Sequence, residues 1–486
     1  MRRSFLSITI LLFFLGVFVS NCYRMRKSNG GGQIASIPQR TIDASDIALH
    51  PGYKIEAVAT GLTFPTAVTT DDEGGLFVIE AGYSYGEIFG EPKLLRIENG
   101  GRTTVVTTGP RNGPWSGITF HDGNFYIAEG GQMDGGRILR ISKSGAISSL
   151  ISNLPSFGDH HTNGPVIKDG YIYFSIGTAT NAGVVGEDNA EFGWLPRKQT
   201  FHDIPCKDIV VTGQNYTTAN LLTENRVDKA TTGPFSAFGT PTTAGQVIKG
   251  VVPCSGSVLR MPLQGGQPEL VAWGFRNPFG LATAPDGKLF VTENGYDERG
   301  SRPVWGAGDV LWEIKPDRWY GWPDFSGAKP ISNDEEFKVP GKDPVKPLLQ
   351  QVPNPVPQPV AIFGVHTSSN GLDFSRSQDF GFLGEAFVAQ FGDMAPEAGK
   401  VLAPVGFKIV RVNVNTGVIR DFATNRGARN GPASWLKSGG LERPVSVKFD
   451  AAGKVLYVVD FGIMKLTENG PEPQPGTGVV WKITKN

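Results

Sequence analysis

What this chain has little of narrows it first. Of its 486 residues, three are cysteine, six are histidine and six are methionine. No Cys-x-x-Cys pair and no histidine cluster accompanies the cysteines, so a structural zinc module is not expected. Charge of one sign is missing too: Lys plus Arg and Asp plus Glu balance at 46 each. With no basic excess and no basic stripe, nucleic acid is not an expected partner. Nothing reads as a long amphipathic helix. The one long apolar run, Phe5 to Val19, is too short for a comfortable membrane span. What is abundant is glycine, 64 residues, and proline, 35, spread along the whole chain. Many short strands joined by Gly- and Pro-rich turns mean an all-β architecture, in which large single domains are ordinary.

The N-terminus reads separately. Arg2 and Arg3 precede the apolar run and Cys22 follows it, the order of a secretory signal. Val19-Ser20-Asn21-Cys22 resembles a bacterial lipoprotein cleavage box, in which Cys22 becomes the lipidated first residue; an uncleaved anchor is the alternative. Both readings put the body outside the cytoplasm, periplasmic or at the cell surface, with membrane contact only through the N-terminus. Residues 1–22 are therefore assigned to the signal or anchor, 23–50 to a flexible tether containing Gly30-Gly31-Gly32, and 51–486 to the body. In an exported chain the remaining pair, Cys206 and Cys254, is expected as a disulfide, with two buried thiols as the other reading.

The body repeats itself. Six segments share a small residue, an apolar stretch, a Gly-containing turn and a second apolar stretch. They begin at Phe64, Pro114, Thr162, Asn277, Ser368 and Arg443, and each reads as a β-hairpin. Every hairpin is followed by a third strand of recurring form, such as KLLRIENGG from Lys93, GSVLRMPLQGG from Gly256 and GVVWKITKN from Gly478. One repeat alone would expose its apolar face, so six stacked radially form a six-bladed β-propeller of four-stranded antiparallel blades. The last repeat runs out at the C-terminus, and KIEAVAT from Lys54 is expected to supply its outer strand and close the ring. Two long insertions interrupt the pattern, at about 181–255 and 326–358. Long loops on a rigid scaffold commonly carry function.

Three clusters carry candidate chemistry. Gly158-Asp159-His160-His161-Thr162 precedes the inner strand of the third repeat, where such loops converge near the axis. An imidazole there can take a proton from a substrate hydroxyl, with Asp159 to orient it or support its protonated form, although a His pair in a turn is by itself more often structural or merely exposed. Successive residues of an extended segment face opposite ways, so His160 is expected to face the axis and His161 the blade interior or solvent. Arg276 lies just before the fourth repeat, which Asn277 opens; its planar guanidinium suits carboxylates or quinone oxygens, and an ion pair with an acid between blades is the other reading. The turn Glu293-Asn294-Gly295-Tyr296-Asp297-Glu298 offers oxygens suited to Ca²⁺.

In this order the segments resemble the soluble glucose and sorbosone dehydrogenase family, most clearly at LPSFGDHHTNGPVIKDGYIYFSIG, WGFRNPFGLATAPDGKLFVTENG and WYGWPDFSG. The resemblance implies a six-bladed propeller that binds pyrroloquinoline quinone and Ca²⁺ and oxidises a sugar or polyol, passing electrons to an acceptor outside the cytoplasm. It implies His160 as general base with Asp159 beside it, and Arg276, Asn277 and Arg443 on the quinone. The backbone carbonyls of Gly295 and Tyr296 would hold Ca²⁺. The chain departs from the family pattern at Trp115 and Ala179, where glucose-oxidising members carry glutamine. It departs again at Gly392 and Val445, where they carry a quinone-contacting lysine and arginine, and at Tyr296, often proline. Two other readings remain: a propeller that only binds a carbohydrate or partner, and a Ca²⁺-dependent lactonase, for which no Glu/Asn/Asp set stands out.

Overall fold

The computed structural model describes residues 40–486 except 226, 333, 395–400, 402 and 468–469. Cys22 and the signal segment lie outside the described residues. Each sequence hairpin forms the inner pair of one blade. Blade 1 runs outward as Pro65–Thr70, Leu76–Glu80, Lys93–Ile97 and Thr103–Thr108, and blade 2 as Trp115–His121, Asn124–Glu129, Gly136–Ser142 and Ile147–Leu154. Blade 3 is Thr162–Lys168, Tyr171–Ile176, Ser257–Pro262 and Glu269–Trp273, and blade 4 is Asn277–Thr283, Leu289–Asn294, Gly308–Glu313 and Ala361–Val365. Blade 5 is Ser369–Phe374, Ala386–Gln390, Lys408–Asn413 and Val418–Asn425. Blade 6 takes Pro444–Phe449, Val455–Asp460 and Gly478–Lys485 from the C-terminal end, and Tyr53–Leu62 from the other end of the body as its outer strand. The closure expected of KIEAVAT is thus formed, and the ring has no unpaired edge there.

The core lies between blades. Buried side chains gather along each seam: Phe77, Ile79, Phe125 and Ile127 between blades 1 and 2, Phe290, Leu311, Phe374 and Val388 between 4 and 5, Phe387, Phe449 and Trp481 between 5 and 6. The alternation that marks each strand in the sequence therefore feeds two seams, one per face. A carboxylate recurs at the end of the second strand and ties the blade together at its inner corner. Glu293 accepts from the Arg276 backbone N–H and from Trp312 Nε1 at 2.6 Å. Asp460 accepts from the backbone N–H groups of Glu442 and Arg443 and from Trp481 Nε1, and forms an ion pair with Arg40.

One assignment changes. The chain is structured before residue 51: Ala44–Asp46 forms a helical turn, and Ile47–Leu49 pairs with Val418–Asn425, because Ile47 drops into the blade 5–6 seam. The two insertions share a core. Cys206, Ile209, Val211, Phe235 and Cys254 of the first pack with Trp319 and Trp322 of the connection between the third and fourth strands of blade 4, and with Ile331, Phe337 and Leu349 of the second insertion, into one apolar cap. The Cys206–Cys254 disulfide lies inside it.

Candidate functional site

Loops that lead into the inner strands of blades 3, 4 and 5 meet at the axial mouth under this cap. The cavity there is lined by Asp159, His160, Arg276, Asn277, Gly295, Tyr296, Asp297, Arg299 and His366, with Tyr85, Phe192 and Trp194 on its walls. A second cavity adjoins it deeper along the axis, lined by the inner strands of all six blades; Tyr85, Asn277, Asn294, Ser368 and Met394 border both. His160 and Arg276 thus meet as the sequence suggested.

His160 is 6 % exposed. Its backbone N–H donates to the Thr178 carbonyl, and Gly177 makes the room: a Cβ there would lie 2.2 Å from the His160 Cβ. Gly158, at φ +118°, lets the same loop lie against the Ala179 carbonyl, which a Cβ would meet at 2.5 Å. The ring's proton position follows from its neighbours. Nδ1 lies 3.0 Å from the Thr178 carbonyl and 3.0 Å from Thr178 Oγ1. That hydroxyl spends its own hydrogen on the Thr180 carbonyl, so both neighbours are acceptors and Nδ1 carries the hydrogen. Nε2 is left with its lone pair. Burial first, and then the Arg276 and Arg299 charges, hold His160 well below the usual imidazole range, so it rests neutral.

Asp159 does not orient this ring; Thr178 does. The Asp159 carboxylate lies on the Nε2 side, 3.9 Å away, and accepts from Arg299 NH2 at 2.5 Å. Arg299 also donates to Asp188 at 2.7 Å and to Asp297 at 3.0 Å. Burial works against the Arg299 charge, and Asp159, Asp297 and Asp188 outweigh it, holding the group above the ordinary arginine range. Asp188 sits on the short helix Glu187–Glu191 of the first insertion, and burial pushes it up to about 6.

Arg276 spreads its donors among Asn181, the Gly295 carbonyl at 2.6 Å and Asp297 at 2.7 Å. The Gly295 carbonyl is therefore engaged by a guanidinium. Tyr296 is buried with its hydroxyl donating to the Phe325 carbonyl. Asn277 donates to Asn294 Oδ1. Arg443 does not line either cavity. It is fully buried, lies between the Phe391 and Phe407 rings, and donates to the Gly392 and Asp393 carbonyls. His161 borders the deeper cavity instead of the blade interior or solvent, edge-on to Tyr83 and with Nδ1 2.9 Å from Gln132 Nε2. Trp115 and Ala179 are both buried, Trp115 donating to Glu129.

Four site residues escaped the sequence reading: Arg299, Asp188, Asn181 and His366. His366 had a signal, since it precedes the fifth hairpin as His160 precedes the third. It pairs with Glu298 at 3.1 Å and is raised to about 9, burial opposing and the Glu298 contact prevailing. Among the described residues, no three His, Cys, Asp or Glu side chains are grouped to hold a metal ion.

Residues 248–395 match the family model Glucose / Sorbosone dehydrogenase, which shows the resemblance read from the sequence. No curated protein matches the chain. The PQQ-bound aldose sugar dehydrogenase of Streptomyces coelicolor is similar in structure at 17 % identity and TM-score 0.51, covering 90 % of this chain and 99 % of that one. The holo PQQ domain of Coprinopsis cinerea pyranose dehydrogenase is similar at 15 % identity and TM-score 0.53, with 90 % and 97 % covered. A calcium structure of the Trichoderma reesei family AA12 enzyme is similar at 15 % identity and TM-score 0.52, with 94 % and 99 % covered. At these identities the structural likeness establishes the fold.

Proposed function

We propose that the protein oxidises a hydroxyl of a sugar or related polyol at the axial mouth, with pyrroloquinoline quinone as the cofactor and His160 as the base. The observation that carries this reading is the neutral, Nδ1-protonated His160 with its Nε2 lone pair unspent beside the cavity. Arg276, Arg299 and charged His366 stand among the flat faces of Tyr85, Phe192 and Trp194, with Asn277 and Asn294 beside them; a planar polyanion bound there would draw these cations from Asp297, Asp159 and Glu298, which hold them now. The bound quinone supplies the two-electron acceptor. His160 Nε2 takes the hydroxyl proton as the carbon yields its hydride and becomes a carbonyl carbon. Thr178 keeps the ring oriented throughout.

Calcium, which the resemblance brings with the quinone, fits its assigned place less well. The Gly295 carbonyl already accepts from Arg276, and Asp159 and Asp297 face guanidiniums, so no step is drawn through the cation. Gly392 and Val445, standing where the family has lysine and arginine, favour the binding-only reading as the alternative. Titrating purified protein with the quinone, with and without Ca²⁺, and then following dye reduction across a sugar panel decides between them. Quinone binding with sugar-dependent reduction is expected; no quinone binding under either condition overturns the proposal. The same reading puts the body outside the cytoplasm, tethered through Cys22, with electrons leaving to an acceptor there. Fatty-acid labelling lost in Cys22→Ser supports that placement, and equal labelling of both forms refutes Cys22 as the lipid acceptor.

A further inference from the structure

Arg299 holds the carboxylate nearest the base. Asp159 Oδ2 is 3.9 Å from His160 Nε2, so a shift of about 1 Å would bring it into hydrogen-bond range. Such a contact would cover the lone pair that accepts the substrate proton and would stabilise the imidazolium. Arg299 prevents it by taking the same oxygen at 2.5 Å. The guanidinium cannot follow Asp159 toward the ring, because Asp188 of the insertion helix holds NH1 and Asp297 holds Nε and NH2. Phe192 packs against its face at 5.3 Å. In a Ser-His-Asp triad the carboxylate serves Nδ1–H and supports the protonated ring. Here the Thr178 carbonyl serves Nδ1–H, and the carboxylate lies on the wrong side for that role.

We propose that Arg299 is a positioning residue that keeps Asp159 off His160, so that the base rests neutral with Nε2 open, and that the first insertion sets this through Asp188. The charged groups around the ring are of both signs, the arginines lowering it and the carboxylates each held by another partner; Asp203, behind Thr178, accepts from Ala179 N–H and the Thr180 hydroxyl. From its own loop come Asp159, held by Arg299, and His161, itself lowered to about 4 by burial. Arg276, leading into blade 4, and Arg299, from the loop after that blade's second strand, both disfavour a proton on His160. Asp297 is spent on those two arginines, and Asp188 on Arg299. Tyr85, from blade 1, is raised to about 12 by burial and adds no charge.

The test reads the ring directly in cofactor-free protein, so it stands whether or not the quinone reading holds. Nitrogen-15 histidine labelling and NMR titration follow His160, assigned by its loss in His160→Gln. In the unsubstituted protein His160 is expected neutral and Nδ1-protonated at pH 7. In Arg299→Gln it becomes protonated at pH 7, and in Arg299→Gln/Asp159→Asn it is neutral again. If oxidation is observed, Arg299→Gln should lose 10-fold or more in kcat at pH 7 and regain it as pH rises, while the double variant should not show that pH dependence. Arg299→Lys, which keeps the charge but loses the fork, covers the case in which the glutamine variant does not fold; it should move the titration upward by a smaller step. Titration of His160 unchanged in the folded Arg299 variant, or a double variant that behaves as the single one, overturns the proposal.

Discussion

His366 gives the sharpest test of the electrostatics at the cavity. It is almost wholly buried, yet Glu298 at 3.1 Å raises it from 6.5 to about 9. A group whose folded value lies above its unfolded one contributes stability that is complete below the unfolded value and disappears as pH rises through the folded value. A shift of that size corresponds to roughly 3 kcal/mol at low pH. Integrating the linkage gives a loss of about 2 kcal/mol between pH 7.5 and 9.5. Buried tyrosines, raised by burial, also begin to cost stability by pH 9.5, so the comparison with a His366 variant is what isolates this group. Burial raises Asp203, Glu293 and Glu87 to about 7 and Asp188 to about 6, and each of these acids costs stability as pH rises toward its own value and not beyond. His160 and His161 are lowered, so their contribution is present above 6.5 and is lost only in acid. Denaturant unfolding at pH 7.5, 8.5 and 9.5, compared with His366→Gln, measures the effect. A variant that loses as much stability across this window as the parent would show that the Glu298 pair contributes nothing, and the reasoning would fail.

Three further outcomes follow from the same geometry. With saturating quinone, His160→Ala should lower kcat by about 10²–10⁴-fold while quinone binding is retained, whereas His161→Gln should leave turnover near the parent's; a dead His161→Gln with an active His160→Ala reverses the assignment. Replacing Cys206 and Cys254 by serine should cost about 4 kcal/mol in the chain-entropy account for a sequence separation of 48, read as a lower unfolding midpoint that matches the reduced parent; an unchanged midpoint refutes the contribution. Asp460→Ala, which strands the buried Arg40 and Trp481 partners, should destabilise by about 3–5 kcal/mol, and a shift under 1 kcal/mol would show that the blade 6 corner is held by packing alone.

The sequence determined the architecture because its evidence is local and repeated. Period-two alternation around Gly turns recurs six times, and each recurrence became the inner hairpin of a blade. The sixth repeat lacks an outer strand of its own and KIEAVAT matches the need, and Tyr53–Leu62 closes the ring. The placing of His160 and Arg276 at one mouth was readable for the same reason, since each is tied to a neighbouring strand whose direction is set; the cysteine pair was readable as the one pair left in a chain with a signal-like start. What the tertiary structure alone decided is the wiring among these residues. Arg299 meets Asp159 across 140 residues, and Asp188 across 111, from an insertion with no periodicity to place it. The tautomer of His160 depends on where the Thr178 hydroxyl sends its hydrogen, and the burial of Arg443 on two phenylalanine rings from other segments. Strand pattern fixes a backbone, but a charge network is fixed by which side chains the closed ring brings within 3 Å, and no spacing along the chain encodes that.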